Sequence, residues 1–497
     1  MTLIFSGNEF KYETEAVCKL FYPVERFGFI FADSETGEVT PEDDFIFVSR
    51  IKANKTTLLT VYAHIGGKAQ KVFEKLPNDT EDYENECEFL LGRLTYKVLC
   101  YITGKRPEWG ILTGVRPVKL INKLRAKGMS REELSDYLTN RYLLTEEKIN
   151  IGYLTAQNQD AIIGKMPKNS FSLYVSIPFC PTRCSYCSFV SQTVQSFKKL
   201  MPEYVKKLCE EIRLTGELVK VHNLTLDTVY FGGGTPTSLE AEDLDIICRT
   251  IAESFDLSHL REYCIEAGRP DTVTEAKLRT IKAHGCERVS INPQTMHDTV
   301  LEAIGRKHTV AEFLDSYALA REVGFEAINV DLIAGLPTDT LDGFKETVEG
   351  VIALQPENIT IHALSIKRAA TLMQESDSVD ASQAENMITY ATKRLLEEGY
   401  EPYYLYRQKN QVGNQENIGW TKPGYAGIYN INIMEEVQTI FAVGAGGSTK
   451  LVDLEGGELE RFFNPKYPLD YLRLYDTVTT RKEEAAKLLD KMLNEKE

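Results

Sequence analysis

The chain contains 497 residues, of which 26% are charged and 43% are hydrophobic. This composition is typical of a globular protein and excludes a fibrous or disordered chain. The formal charge of −16 argues against an overall basic surface for nucleic acid. No apolar run approaches the ~18 residues that cross a membrane, and the N-terminus has no signal-peptide pattern. We therefore expect a soluble, cytoplasmic protein of enzyme size, with about three domains by length.

Two different patterns precede residue 169. Residues 1–70 alternate apolar and polar side chains over short stretches, which predicts a small strand-rich module. Within residues 71–168 apolar residues recur three and four apart, as from Phe89 to Tyr101, and this predicts a helical segment. The polar stretch from Lys165 to Ser170 then breaks the helical pattern, so we predict a domain boundary there.

Residues 169–400 show a third pattern, in which short β-rich runs alternate with helical ones. The β-rich runs are Leu173–Ile177, Thr228–Phe231, Tyr263–Glu266, Arg288–Ile291, Ile328–Ile333 and Ile359–Leu364. The helical patterns are Phe197–Val219, Glu242–Ser254, Val273–Ala283, Val310–Val323 and Gly343–Leu354. Such alternation predicts βαβ units with a parallel sheet, as either an open doubly wound sheet or a partial (β/α) barrel.

Most of these predicted strands end in glycine-rich or polar residues. The first runs into a group of cysteines, the second into Gly232-Gly-Gly-Thr-Pro236 and the third into Glu266-Ala-Gly-Arg269. The fourth is followed by Asn292-Pro-Gln294, and the fifth carries Asp331. In parallel α/β proteins the active site lies at the carboxyl ends of the strands, so we predict that these residues meet at one mouth.

Residues 401–497 are expected to form a C-terminal region of strands and helices. Glu416–Trp420, Tyr429–Asn432 and Phe441–Ser448 suggest strands and a glycine turn that cap the mouth. The spacing of apolar residues from Arg481 to Lys496 predicts an amphipathic helix with solvated charges. Neither segment contains a pattern that indicates a site.

Three of the ten cysteines, Cys180, Cys184 and Cys187, form a C-x3-C-x2-C motif just past a predicted strand. Thiolates this close suit a soft metal centre, since sulfur favours zinc, Cu(I) or iron–sulfur clusters. A structural zinc normally takes four protein ligands, whereas a cluster held by three cysteines keeps one iron open for a small molecule. An iron–sulfur cluster is therefore favoured, with zinc as the alternative. The remaining cysteines are interpreted as small buried hydrophobes: Cys18, Cys87, Cys100, Cys209, Cys248, Cys264 and Cys286.

The cysteine motif, with an aromatic residue before its last cysteine, resembles that of radical S-adenosylmethionine (SAM) enzymes. Further motifs are similar, in order, to the oxygen-independent coproporphyrinogen III oxidase group: Tyr174-Val-Ser-Ile-Pro-Phe-Cys180, Gly232-Gly-Gly-Thr-Pro-Thr237, Arg288-Val-Ser-Ile-Asn-Pro-Gln294, Ile304-Gly-Arg-Lys-His308 and Asn329-Val-Asp-Leu-Ile-Ala-Gly-Leu-Pro337. The segments that look most like its HemZ branch are Glu266–Asp271, Asn292–Met296 and Arg407–Asn410. The resemblance to the wider group covers residues 170–365, whereas residues 1–168 resemble only the HemZ branch.

The resemblance implies a partial (β/α)6 radical SAM barrel with N-terminal and C-terminal α+β additions. It implies a [4Fe-4S] cluster and one or two SAM molecules as cofactors, with a tetrapyrrole substrate and an electron donor as partners. In this family a 5′-deoxyadenosyl radical takes hydrogen from a propionate, and loss of CO2 and an electron converts coproporphyrinogen III to protoporphyrinogen IX. Relatives of the same fold include heme-trafficking proteins and heme-degrading methyltransferases, so heme binding without oxidation and tetrapyrrole methylation are the alternatives.

The resemblance also implies individual site residues. The cluster ligands would be Cys180, Cys184 and Cys187. The residues expected to bind SAM are Tyr174, Tyr186, Gly233, Gly234, Thr235 and Glu266, and those matching a second SAM position are Gln294, Arg306 and Asp331. Arg306-Lys-His308 also offers cations for substrate propionates. Ser176 departs from the short form of the family, which has a histidine at that position.

From the residues alone, a glycine run lets backbone approach a ligand and presents N–H groups to a carboxylate. A tight turn between strand and helix is the alternative reading of that run. An acidic residue such as Glu266 suits a ribose hydroxyl, with a surface carboxylate as the alternative. Tyr174 could equally be a plain strand aromatic.

Overall fold

The computed structural model describes residues 1–23, 25–32, 44–187, 189, 191–365, 381–408, 414–453 and 459–494. Contacts divide the chain into two compact units, Met1–Tyr153 and Leu154–Glu497. Among the helices in the described ranges, none is long and apolar enough to cross a membrane.

The first unit is built on a five-stranded sheet. Its strands are β1 (Thr2–Ser6), β2 (Gly28–Ala32), β3 (Phe45–Lys52), β4 (Thr56–Ile65) and β5 (Lys68–Pro77). Its helices are α1 (Lys11–Phe21), α2 (Tyr83–Thr103), α3 (Pro117–Ala126) and α4 (Arg131–Tyr137), and the division between the units falls inside α5 (Glu146–Ile163). The strand order is β2-β1-β3-β4-β5, in which β1 is parallel to both neighbours and the remaining pairs are antiparallel.

The helix α1 interrupts the strand pattern of the first residues, and the sequence analysis did not predict it. Its buried residues Thr14, Val17, Cys18 and Phe21 follow the three- and four-residue spacing of a helix face. Val17, Cys18 and Phe21 join a core that includes Leu91 of α2. The neighbouring strands, with their period of two, dominate the surrounding pattern, which is why this short helix is hard to recognise.

The second unit contains an 11-stranded sheet and a two-stranded ribbon. Its strands are β6 (Ser170–Ile177), β7 (Phe179–Cys180), β8 (Gln192–Thr193), β9 (Thr225–Gly233), β10 (Glu262–Glu266), β11 (Arg288–Ser290), β12 (Ala327–Ala334), β13 (Asn358–Ala363), β14 (Glu401–Arg407), β15 (Glu416–Thr421), β16 (Thr439–Val443), β17 (Ser448–Val452) and β18 (Leu459–Phe463). Its helices are α6 (Val194–Phe197), α7 (Met201–Val221), α8 (Ala241–Ser254), α9 (Glu275–Ala283), α10 (Asp298–Ala303), α11 (Val310–Val323), α12 (Leu341–Ala353), α13 (Ala381–Glu397), α14 (Ile428–Glu435), α15 (Pro468–Arg473) and α16 (Tyr475–Asn494).

The six predicted strands β6, β9, β10, β11, β12 and β13 are sheet neighbours in chain order and pair in parallel. The α/β architecture with six repeated units is therefore confirmed. β16 adds a further parallel strand beside β6, and β15 pairs antiparallel with β13. The sheet as described stays open, with β14 and β18 as its outermost strands.

Alternation along each strand separates the two faces of this sheet. On β6 the side chains of Leu173, Val175 and Ile177 are fully buried and apolar, whereas Tyr174 and Ser176 lie on the opposite, inner face. Polar and aromatic side chains on the inner faces of the parallel strands line a space that we call the chamber. Its mouth is at the carboxyl ends of the strands.

The segment Tyr429–Asn432 is helical and belongs to α14, so its prediction as a strand capping the mouth is wrong. The carboxylate of Glu262 accepts the N–H groups of Ile428 and Tyr429 at 2.8 and 2.9 Å. A carboxylate at a helix N-terminus is favourable because it satisfies unpaired N–H groups and complements the helix dipole. Since Glu262 is the first residue of β10, α14 closes the amino end of the chamber.

The C-terminal helix α16 carries a buried cation, Lys482, where the sequence pattern predicted solvated charges. Its Nζ lies 3.3 Å from Oε1 of Glu211 on α7, and both side chains are almost wholly inaccessible. Glu211 also accepts hydrogen bonds from the Gly444 N–H at 2.7 Å, Asn464 Nδ2 at 2.8 Å and the Tyr471 hydroxyl at 2.7 Å. This cluster joins α7 and α16 to the turn after β16.

Lys482→Met should lower the free energy of unfolding by about 3–5 kcal/mol, because it leaves Glu211 as an unpaired buried charge. Chemical denaturation followed by circular dichroism measures this loss. The double variant with Glu211→Gln should recover part of it. Glu203→Gln removes an exposed carboxylate from α7, the helix that carries Glu211, and should change the free energy of unfolding by less than about 0.5 kcal/mol. A Lys482→Met protein as stable as the native chain would contradict the assignment.

Candidate functional site

The glycine run after β9 holds the backbone that leads to the first cysteine. The Gly234 N–H donates to the Ile177 carbonyl at 2.8 Å, and the Thr235 N–H donates to the Phe179 carbonyl at 2.7 Å. A Cβ on Gly234 would lie 2.6 Å from the Phe179 oxygen, so only glycine allows this approach. These two N–H groups are therefore used within the protein, as the tight-turn alternative requires.

The three residues of this run proposed to bind SAM differ in accessibility. Gly233 and Gly234 are partly exposed, and Gly233 has a φ of +106°, which glycine adopts without strain. Thr235 is buried beneath them, and its hydroxyl donates to Sγ of Cys180 at 3.5 Å. The two glycines can touch a ligand, whereas Thr235 contacts a cysteine.

The cysteine motif forms a loop whose central residue, Ser185, is hydrogen-bonded to the rest of the fold. Cys184 is buried, while Cys180 and Cys187 are half-buried. The N–H and hydroxyl of Ser185 both donate to the Ile304 carbonyl, at 3.1 and 3.2 Å. Desolvation raises the pKa of the Cys180 and Cys187 thiols, and a metal centre that binds them must displace these protons.

The donor set of this loop fits an iron–sulfur cluster better than a single zinc ion. A structural zinc ion normally takes four protein ligands in a tetrahedral set, whereas this loop offers three thiols. In a [4Fe-4S] cluster each cysteine binds a different iron, so its sulfurs need not converge on one point. Cys180, Cys184 and Cys187 therefore suit a cluster with one iron left for another ligand.

Arg269 is buried directly beside the cysteine loop. Its Nη1 donates to the Thr182 hydroxyl at 2.8 Å and lies 3.9 Å from Sγ of Cys184. Its Nε and Nη2 make a two-point ion pair with Asp271, at 2.9 and 2.7 Å. Arg269 lies in the motif that follows β10 but is not among the site residues predicted from the sequence.

Arg306 is also buried near the loop. Its Nη1 donates to the Asn292 carbonyl. Burial by itself lowers the pKa of Arg306, but Tyr186 and Cys184 raise it above its usual value, so the guanidinium stays charged. His308 is buried too, and desolvation with the nearby Arg306 lowers its pKa to about 4. Of the three cations expected to meet propionates, Arg306 and His308 are buried and Lys307 is exposed.

Tyr186, between two of the cysteines, is half-buried. Its ring packs against an apolar cluster whose buried members are Val300, Leu301, Ile304, Ile333, Leu336 and Leu364. The aromatic residue of the motif therefore anchors the loop to α10 and the end of β12, and one part of it remains accessible at the mouth.

Tyr174 belongs to a stack of three tyrosines inside the chamber. Its ring centroid lies 6.3 Å from that of Tyr230, which in turn lies 4.4 Å from that of Tyr429, with interplanar angles of 17° and 18°. Tyr174 and Tyr230 are paired across β6 and β9, and Tyr429 comes from α14 at the amino end. The stack forms an aromatic floor. The sequence analysis did not select Tyr230 or Tyr429, which become neighbours only through strand pairing and the position of α14.

Ser176 is buried, and both its hydroxyl and its backbone carbonyl are hydrogen-bonded. Its hydroxyl donates to the Ala445 carbonyl at 2.7 Å, and its own carbonyl accepts from the Tyr204 hydroxyl at 2.9 Å. A Cβ on Gly233 would lie only 3.2 Å from the Ser176 hydroxyl. The glycine turn after β16 thus occupies the space into which a larger side chain at this position would project.

Glu266 lies half-buried on the inner face of β10 and accepts a hydrogen bond from the Tyr230 hydroxyl. Desolvation, with the charge of Asp331, raises the pKa of Glu266 to about 7 against the opposing effects of Tyr230 and His362. Near neutral pH this carboxyl can therefore either accept or donate a hydrogen bond, as a ribose hydroxyl requires.

The raised pKa of Glu266 predicts a pH-dependent stability. The pKa of Glu266 is about 7 in the folded chain and about 4.3 in the unfolded chain. Its contribution to the free energy of unfolding is therefore fully present below about pH 4.3 and is lost as the pH rises to about 7. Glu266→Gln should reduce this pH-dependent loss of the free energy of unfolding by about 2 kcal/mol. Urea denaturation between pH 5 and 8 measures it, with the exposed Glu253→Gln as control. Parallel pH profiles for native and Glu266→Gln proteins would contradict the assignment.

Asp331 lies on the inner face of β12 and is held from two sides. Its carboxylate accepts hydrogen bonds from Nδ2 of Asn292 at 2.8 Å and from Nδ2 of Asn329 at 2.7 Å. Gln294 is buried at a φ of +73°, and its N–H donates to the Asp331 carbonyl at 3.1 Å. Asp331 therefore joins Tyr174 and Glu266 in the chamber, whereas Gln294 extends the sheet through its backbone.

The expected site residues thus form two neighbouring groups. Around the cysteine loop lie Cys180, Cys184, Cys187, Tyr186, Thr235 and Arg306, with Gly233 and Gly234 at their edge. Inside the chamber lie Tyr174, Glu266 and Asp331, with Gln294 behind them. The motif Arg407–Asn410 can be placed only in part, because residues 409 and 410 lie outside the described ranges.

Comparison with known proteins identifies the family of the chain. The model of the radical SAM superfamily matches residues 174–351. The chain is 41% identical over 386 residues to the oxygen-independent coproporphyrinogen-III oxidase-like protein HemZ of Bacillus subtilis (strain 168), covering 76% of this chain and 77% of that one. It is 38% identical over 200 residues to the heme chaperone HemW of the same organism, covering 39% and 51%.

The solved structure of coproporphyrinogen III oxidase (HemN) from Escherichia coli, a radical SAM enzyme, superposes with a TM-score of 0.51 at 20% identity. The superposition covers 65% of this chain and 73% of that one, and it supports the fold. Fold, cysteine loop and family match together define a radical SAM protein, which implies a [4Fe-4S] cluster and SAM. Within that class, the chain belongs to the oxygen-independent coproporphyrinogen-III oxidase-like family, in its HemZ branch.

Proposed function

We propose that the chain is an oxygen-independent coproporphyrinogen III dehydrogenase of heme biosynthesis. The observation that best supports this proposal is a cysteine loop with three thiols at the mouth of a chamber that is lined by tyrosines and carboxyl groups. Such a chamber combines apolar faces for a macrocycle with polar groups for its substituents. The names of the HemZ and HemN relatives support coproporphyrinogen as the substrate.

The cluster and SAM, when bound, would supply a 5′-deoxyadenosyl radical that removes hydrogen from a substrate propionate, after which CO2 and one further electron leave and a vinyl group remains. The protein residues bind and position the reactants. Gly233 and Gly234 offer a close backbone surface to SAM, and Glu266 offers its carboxyl to a ribose hydroxyl. The stacked rings of Tyr174 and Tyr230 support the substrate and exclude water from it.

A second candidate is heme binding without oxidation. The 38% identity to a heme chaperone supports it, as does Ser176 at the position of the short-form histidine. The Ser176 hydroxyl is already bonded to the Ala445 carbonyl, so it is not available as a proton donor. The two candidates require the same fold and differ in whether propionates are consumed.

An anaerobic assay of the reconstituted protein tests the proposal. The mixture contains coproporphyrinogen III, SAM and a chemical reductant, and mass spectrometry follows both the nucleoside and the porphyrinogen. We expect 5′-deoxyadenosine together with two losses of formic-acid equivalents from the substrate. Deoxyadenosine with intact propionates would contradict the oxidase. In that case stoichiometric heme binding would support the second candidate, and a methylated tetrapyrrole would indicate methyl transfer.

A further inference from the structure

An imidazole that the sequence analysis did not select lies in the chamber. The alternation along β13 places Asn358, Thr360 and His362 on the inner face, with His362 towards the mouth. Its side chain is 27% exposed, and its Nε2 lies 3.7 Å from Oδ2 of Asp331, whose side chain is 22% exposed. Imidazole and carboxylate thus face each other across β12 and β13.

The carboxylate of this pair has a fixed orientation. Asn292 and Asn329 each donate an amide hydrogen to Asp331, one to each oxygen. Desolvation by itself would raise the pKa of Asp331, but His362 and the hydrogen bonds from Asn329 and Thr360 lower it below its usual value. A carboxylate that is held and ionised directs the Nε2–H of His362 towards itself and leaves Nδ1 for another partner.

Three arginines near the site are already engaged. Arg269 is paired with Asp271, and Arg306 donates to a backbone carbonyl. Arg288 lies at the amino end, 3.2 Å from Glu262. Of the cationic groups described above, His362 is the one that is both partly exposed and on the inner face of a strand. A protein of charge −16 needs such a group to bind an anionic substrate.

We propose that His362, oriented by Asp331, binds a carboxylate side chain of the tetrapyrrole substrate. This inference rests on the proposed function, because it assumes that a carboxylate-bearing macrocycle enters the chamber. Protonated His362 donates from Nδ1 to the ligand carboxylate while its Nε2–H faces Asp331, so the cation lies between two anions. The ligand is thereby held on the wall formed by β12 and β13.

Fluorescence titration with coproporphyrin III, a stable oxidised analogue with four carboxylates, tests this inference on the full chain. His362→Gln keeps a hydrogen-bonding side chain but cannot become cationic. We expect this variant to bind coproporphyrin III about tenfold more weakly than the native protein at pH 6. The tetramethyl ester of the same porphyrin has no carboxylate, so its affinity should be equal for native and variant proteins.

His284→Gln is the matched control, since His284, just after α9, is paired at 2.7 Å with Asp245 on α8, outside the chamber. It should bind both porphyrins like the native protein. If His362→Gln weakens binding of the acid and of the ester equally, the inference is wrong while the proposed function stands. If the native protein binds neither porphyrin and converts no coproporphyrinogen, the proposed function itself fails.

Discussion

Cys184→Ser should abolish both cluster assembly and cleavage of SAM. Cys184 is the buried member of the loop, 3.9 Å from the buried guanidinium of Arg269, so a lost thiolate there cannot be replaced by water or by a neighbouring ligand. A serine hydroxyl is a poor ligand for iron that prefers sulfur. We expect iron content after anaerobic reconstitution to fall severely and 5′-deoxyadenosine formation to drop to less than about 1% of the native rate.

The matched control for this substitution is Cys100→Ser in the first unit. Cys100 is half-buried in α2, as Cys180 and Cys187 are in the loop, but it has no second cysteine within the loop's spacing. It should retain iron, the absorbance of the cluster and deoxyadenosine formation. A Cys184→Ser protein that keeps its iron and cleaves SAM would contradict the assignment of the loop.

Gly234→Ala should have the second-largest effect, because the new methyl group meets backbone rather than a flexible side chain. Its Cβ would lie 2.6 Å from the Phe179 oxygen, 2.8 Å from the Phe179 nitrogen and 2.9 Å from the Ile177 oxygen. Backbone on both sides must move, and two hydrogen bonds that hold the cysteine loop weaken. We expect a loss of stability of about 2–4 kcal/mol and reduced cluster occupancy.

Gly268→Ala provides the control at the same mouth, since a Cβ there has no atom within 4 Å. Its thermal unfolding and iron content should match the native protein. Equal behaviour of the Gly234→Ala and Gly268→Ala proteins would show that the glycine run after β9 does not support the loop. A loss of iron content in the Gly234→Ala protein would show that the glycine run supports the cysteine loop. A loss of SAM affinity at unchanged iron content would show instead that the run contacts SAM directly.

Much of the second unit could be predicted from local patterns. The six parallel strands are fully buried on their outer faces, so each one leaves a short apolar run that is easily recognised. The helix from Val310 to Val323 has the predicted bounds, with Thr309 and Glu312 forming a capping box at its start and Gly324 at its end. The cysteine motif is equally local, because its ligands lie within eight positions.

The incorrect expectations involve groups whose surroundings come from distant parts of the chain. Tyr429 lies in a helix because Glu262, 167 residues away, accepts the N–H groups at its start. Lys482 is buried because Glu211 meets it across α7 and α16. Arg306 and His308 flank an exposed lysine in sequence, yet the fold buries both. No periodicity in a window of ten to twenty residues contains this information.

The amino-acid order was sufficient to identify the cysteine loop, the repeated βαβ units and the family, because these depend on spacing and on short buried runs. The pairing of strands decided which side chains share the chamber: it set Tyr174 beside Tyr230, and it brought His362 within 3.7 Å of Asp331 on the neighbouring strand. The same pairing put Ser176 against the turn after β16. Such contacts join residues far apart in the chain, and their energies depend on burial and distance, which only the folded structure defines.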